Sequence, residues 1–154
     1  MKYKVLIVFY LILLCGHSYG KENLGLGAIL GAPTGISGNY KLSEKNSVDF
    51  AIAFLLSSAD SDKFYTHGAY LWHKPKSLKV FGQVLGWYYG VGARTRYLES
   101  DDDNFKLAAR GSLGALWDFQ NVPCDLFAES SVNLNFIPST DIGLNLAIGA
   151  RYYF

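Results

Sequence analysis

The stretch DIGLNLAIGARYYF, Asp141 to Phe154, alternates almost without error. Ile142, Leu144, Leu146, Ile148, Ala150, Tyr152 and Phe154 fall on one face, and Asp141, Gly143, Asn145, Ala147, Gly149, Arg151 and Tyr153 on the other. Successive side chains of a strand point to opposite sides, so this is a β-strand with one apolar wall and one small or polar wall. If the apolar wall faces lipid, the protein is a transmembrane barrel, and the remaining sequence has to decide that point.

Working back from the end, the same period recurs in seven further segments: Asn23 to Gly31, Gly35 to Leu42, Ser47 to Ser57, Phe64 to His73, Lys79 to Tyr97, Asn104 to Phe119 and Asp125 to Phe136. Turn chemistry separates them at Ala32-Pro33-Thr34, Ser43 to Asn46, Lys74-Pro75-Lys76-Ser77 and Pro138-Ser139-Thr140, with a polar loop at Ser58 to Lys63 and an acidic one at Glu99 to Asn104. Both faces of the fourth segment carry rings, so pattern alone leaves its register open.

Two soluble folds compete with a membrane barrel. In a lipocalin-like barrel the apolar walls would point inward, and an outer wall of mostly Gly, Ala, Ser and Asn would meet water. A sandwich meets the same difficulty, because nearly all the aromatic bulk would have to fit inside. Turned inside out, the pattern fits: small residues and a few charges fill a narrow interior while Leu, Ile, Val and rings meet acyl chains. The rings fall near two rims. Tyr40, Phe50, Trp72, Phe81, Trp117, Phe119, Tyr152 and Phe154 lie toward the chain end, and Phe64, Tyr97, Phe105 and Phe136 toward the other. Two belts are what two membrane interfaces select. The expected fold is an all-β, eight-stranded antiparallel transmembrane β-barrel of outer-membrane type. Both termini would then lie in the periplasm, with the loops after strands one, three, five and seven outside.

Residues 1–20 stand apart from this pattern. Lys2 and Lys4 precede an apolar run from Val5 to Cys15, and Ser18-Tyr19-Gly20 is a small-x-small cleavage site, which together read as a secretory signal peptide. The run is too short for a membrane helix, which needs roughly 20 residues. A lipoprotein would acylate Cys15, but Leu14 precedes it where a small residue is wanted. Residues 21–154 then form one barrel domain. Cys124 is the only cysteine left in it, so there is no internal disulfide framework. A formal net charge of +1 provides no basic field for nucleic acid, while aromatic residues reach 16%.

Certain residues carry a family likeness: Arg110 through Leu113-Gly114, Leu126-Phe127-Ala128-Glu129, Leu134, Ile137-Pro138-Ser139-Thr140 and Ile148-Gly149-Ala150-Arg151-Tyr152-Tyr153-Phe154. With Leu26-Gly27 and Pro33-Thr34-Gly35-Ile36 as a first hairpin, the chain resembles a poorly characterised family of small bacterial outer-membrane β-barrel proteins, OmpA-like in architecture. The likeness covers nearly all of 21–154 and is most specific in the last third. It implies an eight-stranded Gram-negative barrel whose terminal aromatic, Phe154, is the signal read by the barrel-assembly machinery. It implies no activity. The chain departs from the family in its very short outer loops, which weighs against an adhesin role.

The interior wall is expected to collect Lys41, Arg94, Arg96, Lys106, Arg110 and Arg151 with Asp49, Asp118, Asp125, Glu129 and Asp141. An unpaired charge in a low-dielectric tube costs several kcal/mol, so these should pair across the lumen. We expect Glu129 to be the hub of a structural ion-pair network with Arg110 and Arg151, giving a filled, non-conducting interior. A gated pore or proton path is the functional alternative. A lipid A-modifying enzyme would need a serine beside His67 or His73, and neither has one at strand spacing. His67 reads as a packed or belt histidine, and the scattered His and Cys residues lack metal-ligand spacing. The Asp101-Asp102-Asp103 run lacks the glycine and bidentate glutamate of a calcium loop and reads as solvated. Gly82 to Gly92 is no phosphate cradle. The expected protein is therefore not an enzyme and carries no cofactor. Its partners are outer-membrane lipid and lipopolysaccharide, and a surface adhesin or ligand-binding barrel is the first rival.

Overall fold

A computed structural model describes residues 23–53, 62–80, 83–98, 105–119, 122–137 and 140–154. The leader expected over 1–20, the acidic run at 101–103, Phe81 and the end of the third segment beyond Ala53 lie outside the described residues. Eight strands follow one another: β1 Leu24–Gly31, β2 Gly35–Lys41, β3 Asn46–Ala53, β4 Asp62–Val80, β5 Gln83–Leu98, β6 Phe105–Asp118, β7 Cys124–Ile137 and β8 Asp141–Tyr153. Each pairs antiparallel with the next, and β8 returns to β1 from Tyr153 opposite Gly25 to Ala147 opposite Gly31, closing the barrel. We call the end bearing both β1's start and β8's finish the lower rim. The wall is uneven at the upper rim. β8 is paired with β7 as far as Asp141, but its β1 neighbour ends six residues short of that level.

The period of two sorts the side chains as the alternating pattern predicts, with polar and small residues inward. Asp49, Arg94, Arg110, Asp125, Glu129 and Arg151 are all buried, whereas Ile142, Leu144, Leu146 and Ile148 on β8 are 60–70% exposed. Rings that do point inward stand over glycines on neighbouring strands. A Cβ on Gly114 would strike the Tyr88 ring, and one on Gly149 would strike Phe127. These two rings join Ile29, Leu71 and Leu116 in a small apolar layer inside the tube. Gly31 ends β1 at φ 123°, a backbone shape that suits glycine, and Thr34 Oγ1 closes the turn by donating to the Gly31 carbonyl at 3.0 Å.

Two expectations need correction. Lys74-Pro75-Lys76-Ser77 is not a reversal: β4 runs on to Val80, and three residues between Lys74 and Leu78 face the single residue Gly86 between Trp87 and Leu85. Proline has no N–H for the ladder, so the turn-forming residues are accommodated as a bulge while the reversal falls beyond Val80. Lys79 consequently belongs to β4 and pairs with Val84. Phe50 does not belong to the lower ring belt either. It sits in the middle of β3, opposite Gly38, whose missing side chain its ring covers.

On the outer face near the lower rim, rings pack in pairs. Trp72 stacks on Tyr89 with centroids 5.5 Å apart, Trp117 on Phe119 at 5.3 Å, and Tyr152 meets Phe154 edge-on at 5.0 Å. Phe64, Tyr97, Phe105 and Phe136 are exposed toward the upper rim.

Candidate functional site

The chemistry of this barrel is inside it. Asp125 and Arg151 are directly opposite each other on β7 and β8, and the guanidinium forks onto the carboxylate, Nε to Oδ1 at 3.0 Å and Nη2 to Oδ2 at 3.1 Å. Its third nitrogen crosses the lumen to β3, where Nη1 donates to Asp49 Oδ1 at 2.6 Å. The same guanidinium lies 4.2 Å above the Phe127 ring. Tyr153 adds a 2.6 Å donation to Asp125 Oδ2, and Asn39 donates to Asp49 at 3.4 Å. One buried cation is thus shared by two buried carboxylates, a bidentate geometry that lysine could not supply.

A second group lies above the first. Arg110 on β6 donates through Nη2 to Glu129 on β7, through Nη1 to the Tyr65 hydroxyl at 3.2 Å and, more weakly, to Asn133 Oδ1 at 3.5 Å. Tyr88 on β5 reaches Glu129 Oε2 at 3.0 Å. His67 joins the two groups, with Nε2 3.2 Å from Asp49 Oδ2 and Nδ1 3.3 Å from the Tyr65 hydroxyl. Proton directions agree along the whole path for an imidazole protonated on Nε2: Arg110 gives to Tyr65, Tyr65 to His67, and His67 to Asp49, which also receives from Arg151. The result is one hydrogen-bonded chain from Tyr88 to Tyr153 running down the tube.

The placement of the predicted residues differs from the expectation at the hub and at the rims. Arg110 and Glu129 come together. Arg151, however, has Asp125 and Asp49 as its ion-pair partners among the described residues, and Glu129 faces Ala147, four positions further up β8. Glu129 is therefore not the hub; Arg151 is. Side chains directly opposite on paired strands lie closest, and Asp125, not Glu129, occupies that position. Asp118 and Asp141 are exposed at the rims and not part of the buried chain. Phe154 follows β8 directly, its N–H bonded to the Leu24 carbonyl at 2.9 Å.

Three members of this chain, Tyr88, Tyr65 and His67, are not placed in it by the sequence pattern. Tyr88 shares the parity of Gly86 and Gly90 and could have been placed inward by that signal. Tyr65 and His67 depended on the open register of the fourth segment, which pairing of Asp49 with Ala69 settles. His73 also departs from expectation. Its Nε2 is 2.7 Å from Ser47 Oγ, a serine on the neighbouring strand, at the edge of a lower-rim cavity of about 480 Å³ lined by Lys41, Glu44 and Asp118. Ser47 is fully buried and already receives Asn39 Nδ2 at 2.9 Å, so its hydroxyl does not meet the cavity. Nucleophilic catalysis needs an approachable oxygen as well as a base. No group of three or more metal-ligating side chains occurs among the described residues. Among known proteins, no family model, no curated protein and no solved structure matches this chain.

Proposed function

We propose that the chain is an integral outer-membrane barrel, exported by a cleaved leader, with a plugged interior and a structural or surface-interaction role. The observation that carries this reading is the inverted burial: ionised side chains are enclosed while Ile142, Leu144, Leu146 and Ile148 stand 60–70% exposed. In water each such apolar side chain forgoes roughly 1.5–3 kcal/mol of burial, which a lipid surround would return. Strands β5 to β8 span 16, 14, 14 and 13 residues, above the ~9–11 a tilted strand needs to cross a bilayer. On the outer face the hydroxyls of Thr66 and Thr95 hydrogen-bond each other at 2.7 Å, as polar groups in contact with acyl chains must.

The plug follows from the chain of bonds across the lumen. Contacts from β3 to β8, β4 to β6 and β5 to β7 cross the lumen, which supports a filled interior over a pore of porin width. The test combines fractionation and electrophysiology. The protein is expected in outer membranes, running faster on gels unboiled than boiled, and silent in planar bilayers. Recovery as a soluble periplasmic protein would overturn the membrane reading, and a steady large conductance would overturn the plug.

A further inference from the structure

Between the levels of Glu129 and Arg110, the inner wall of β6, β7 and β8 carries a patch of unmet hydrogen-bond donors. Ser112, Ser131 and Asn145 form one row across the three strands, and Asn133 sits on the next row up. All four are at least nine-tenths buried, yet Ser112 Oγ, Ser131 Oγ, Asn133 Nδ2, Asn145 Nδ2 and the adjacent Arg110 Nε have no hydrogen-bond partner among the described residues. Buried polar groups are nearly always satisfied, so a contiguous set of five points to a polar occupant.

The chemistry of the set selects the occupant. Asn133 uses its carbonyl oxygen to receive Arg110, which leaves its amide N–H groups to the patch. The unmet atoms are thus N–H donors and hydroxyls, with no carbonyl or carboxylate oxygen among them. Cations outnumber anions around them: Arg94, Arg96, Lys106 and Arg110 line the inner wall of β5 and β6, against Glu129 and the rim residue Asp141 among the described residues. No cation has to be unpaired for this, since a guanidinium carries five donors. Arg94, for instance, donates to Asn135.

Room and access are both present. Gly143 faces the lumen opposite Asn133, and a Cβ built there meets nothing within 4 Å. Apart from its two chain neighbours, no heavy atom is in van der Waals contact with that position. The uneven upper rim lies on the same side. Because β1 stops at Gly31, opposite Ala147, the Asp141 to Asn145 end of β8 has no ladder partner on that flank among the described residues.

We propose that this patch is a binding site for a phosphate-type oxyanion, entered beside the upper end of β8 and held by Asn133, Asn145, Ser112, Ser131 and Arg110. Two sources share that chemistry, a free anion and a lipid headgroup. The experiment uses the refolded full barrel in a neutral sugar detergent, titrated at constant ionic strength with inorganic phosphate, and separately with micelles containing phosphatidylglycerol. Binding is read by calorimetry. Asn133→Leu removes a donor, and Gly143→Val fills the space at a backbone shape open to any residue. Saturable binding in wild type, weakened about tenfold or more in both variants while they keep heat-modifiable migration, is the expected result. Response to phosphate alone assigns the free anion, and response to the lipid micelles assigns the headgroup. No saturable heat with either probe, or equal affinity in folded Gly143→Val, would overturn the site and leave water as its occupant.

Discussion

Replacing Arg151 by methionine tests the internal network at its centre. Methionine is unbranched and apolar and can lie against the Phe127 ring that the guanidinium now covers, so shape is nearly kept while the cation is lost. Three charge-assisted bonds disappear, two to Asp125 and one to Asp49. Each carboxylate keeps neutral or weaker donors, Tyr153 for Asp125 and His67 with Asn39 for Asp49. Breaking a buried pair from one side costs about 3–5 kcal/mol. Here two anions lose one cation, which places the expected loss in the upper part of that range. Glu129→Ala takes one acceptor from the Tyr88 hydroxyl and one anion from Arg110, which retains Tyr65 and Asn133, and should cost nearer the lower end, ~3 kcal/mol. The assay is urea unfolding of the barrel in lipid vesicles, followed by the fluorescence of Trp72, Trp87 and Trp117. Adding Asp49→Asn and Asp125→Asn to Arg151→Met should return most of the loss, since a neutral polar cluster no longer needs the cation. A shift under roughly 1 kcal/mol for Arg151→Met, or a larger loss for Glu129→Ala than for Arg151→Met, would refute Arg151 as the hub.

Three further outcomes are expected. Deleting Phe154 should lower the amount of folded protein in the outer membrane without changing export, checked by quantifying folded and total protein; wild-type levels would remove its assembly role. Gly27→Ala should cut the refolded yield, because its Cβ would meet the Ala150 carbonyl and come within 2.7 Å of Arg151 Cα at the closing β1–β8 seam, both backbone positions that cannot swing aside; an unchanged yield on a gel-shift assay would contradict that geometry. Ser47→Ala should leave the lipid A mass profile of expressing cells the same as with wild type, and a change in acylation tied to Ser47 would reopen the enzyme reading.

Much of the architecture is written in the period of two. Asp141 to Phe154 alone shows which residues share a wall, and the same parity places Asp49, Arg110, Asp125, Glu129 and Arg151 inside. Strand order is equally local, since short turns bring each segment beside the one before it. Parity fails where both faces carry rings, as at Phe64 to His73, and turn chemistry misleads where proline is absorbed into a bulge, as at Pro75.

What only the tertiary structure decided is who meets whom across the lumen. Arg151 and Asp49 are 102 residues apart, on strands that are not neighbours, and Tyr65 meets Arg110 and Tyr88 meets Glu129 by the same kind of crossing. A ladder constrains only adjacent strands. Which distant side chains converge depends on strand stagger and tilt around the closed tube, quantities summed over eight registers and three bulges. A displacement of two residues in any one register keeps every side chain on its wall and yet changes its partner, so the inward set was legible from the chain while the hub at Arg151 was a property of closure.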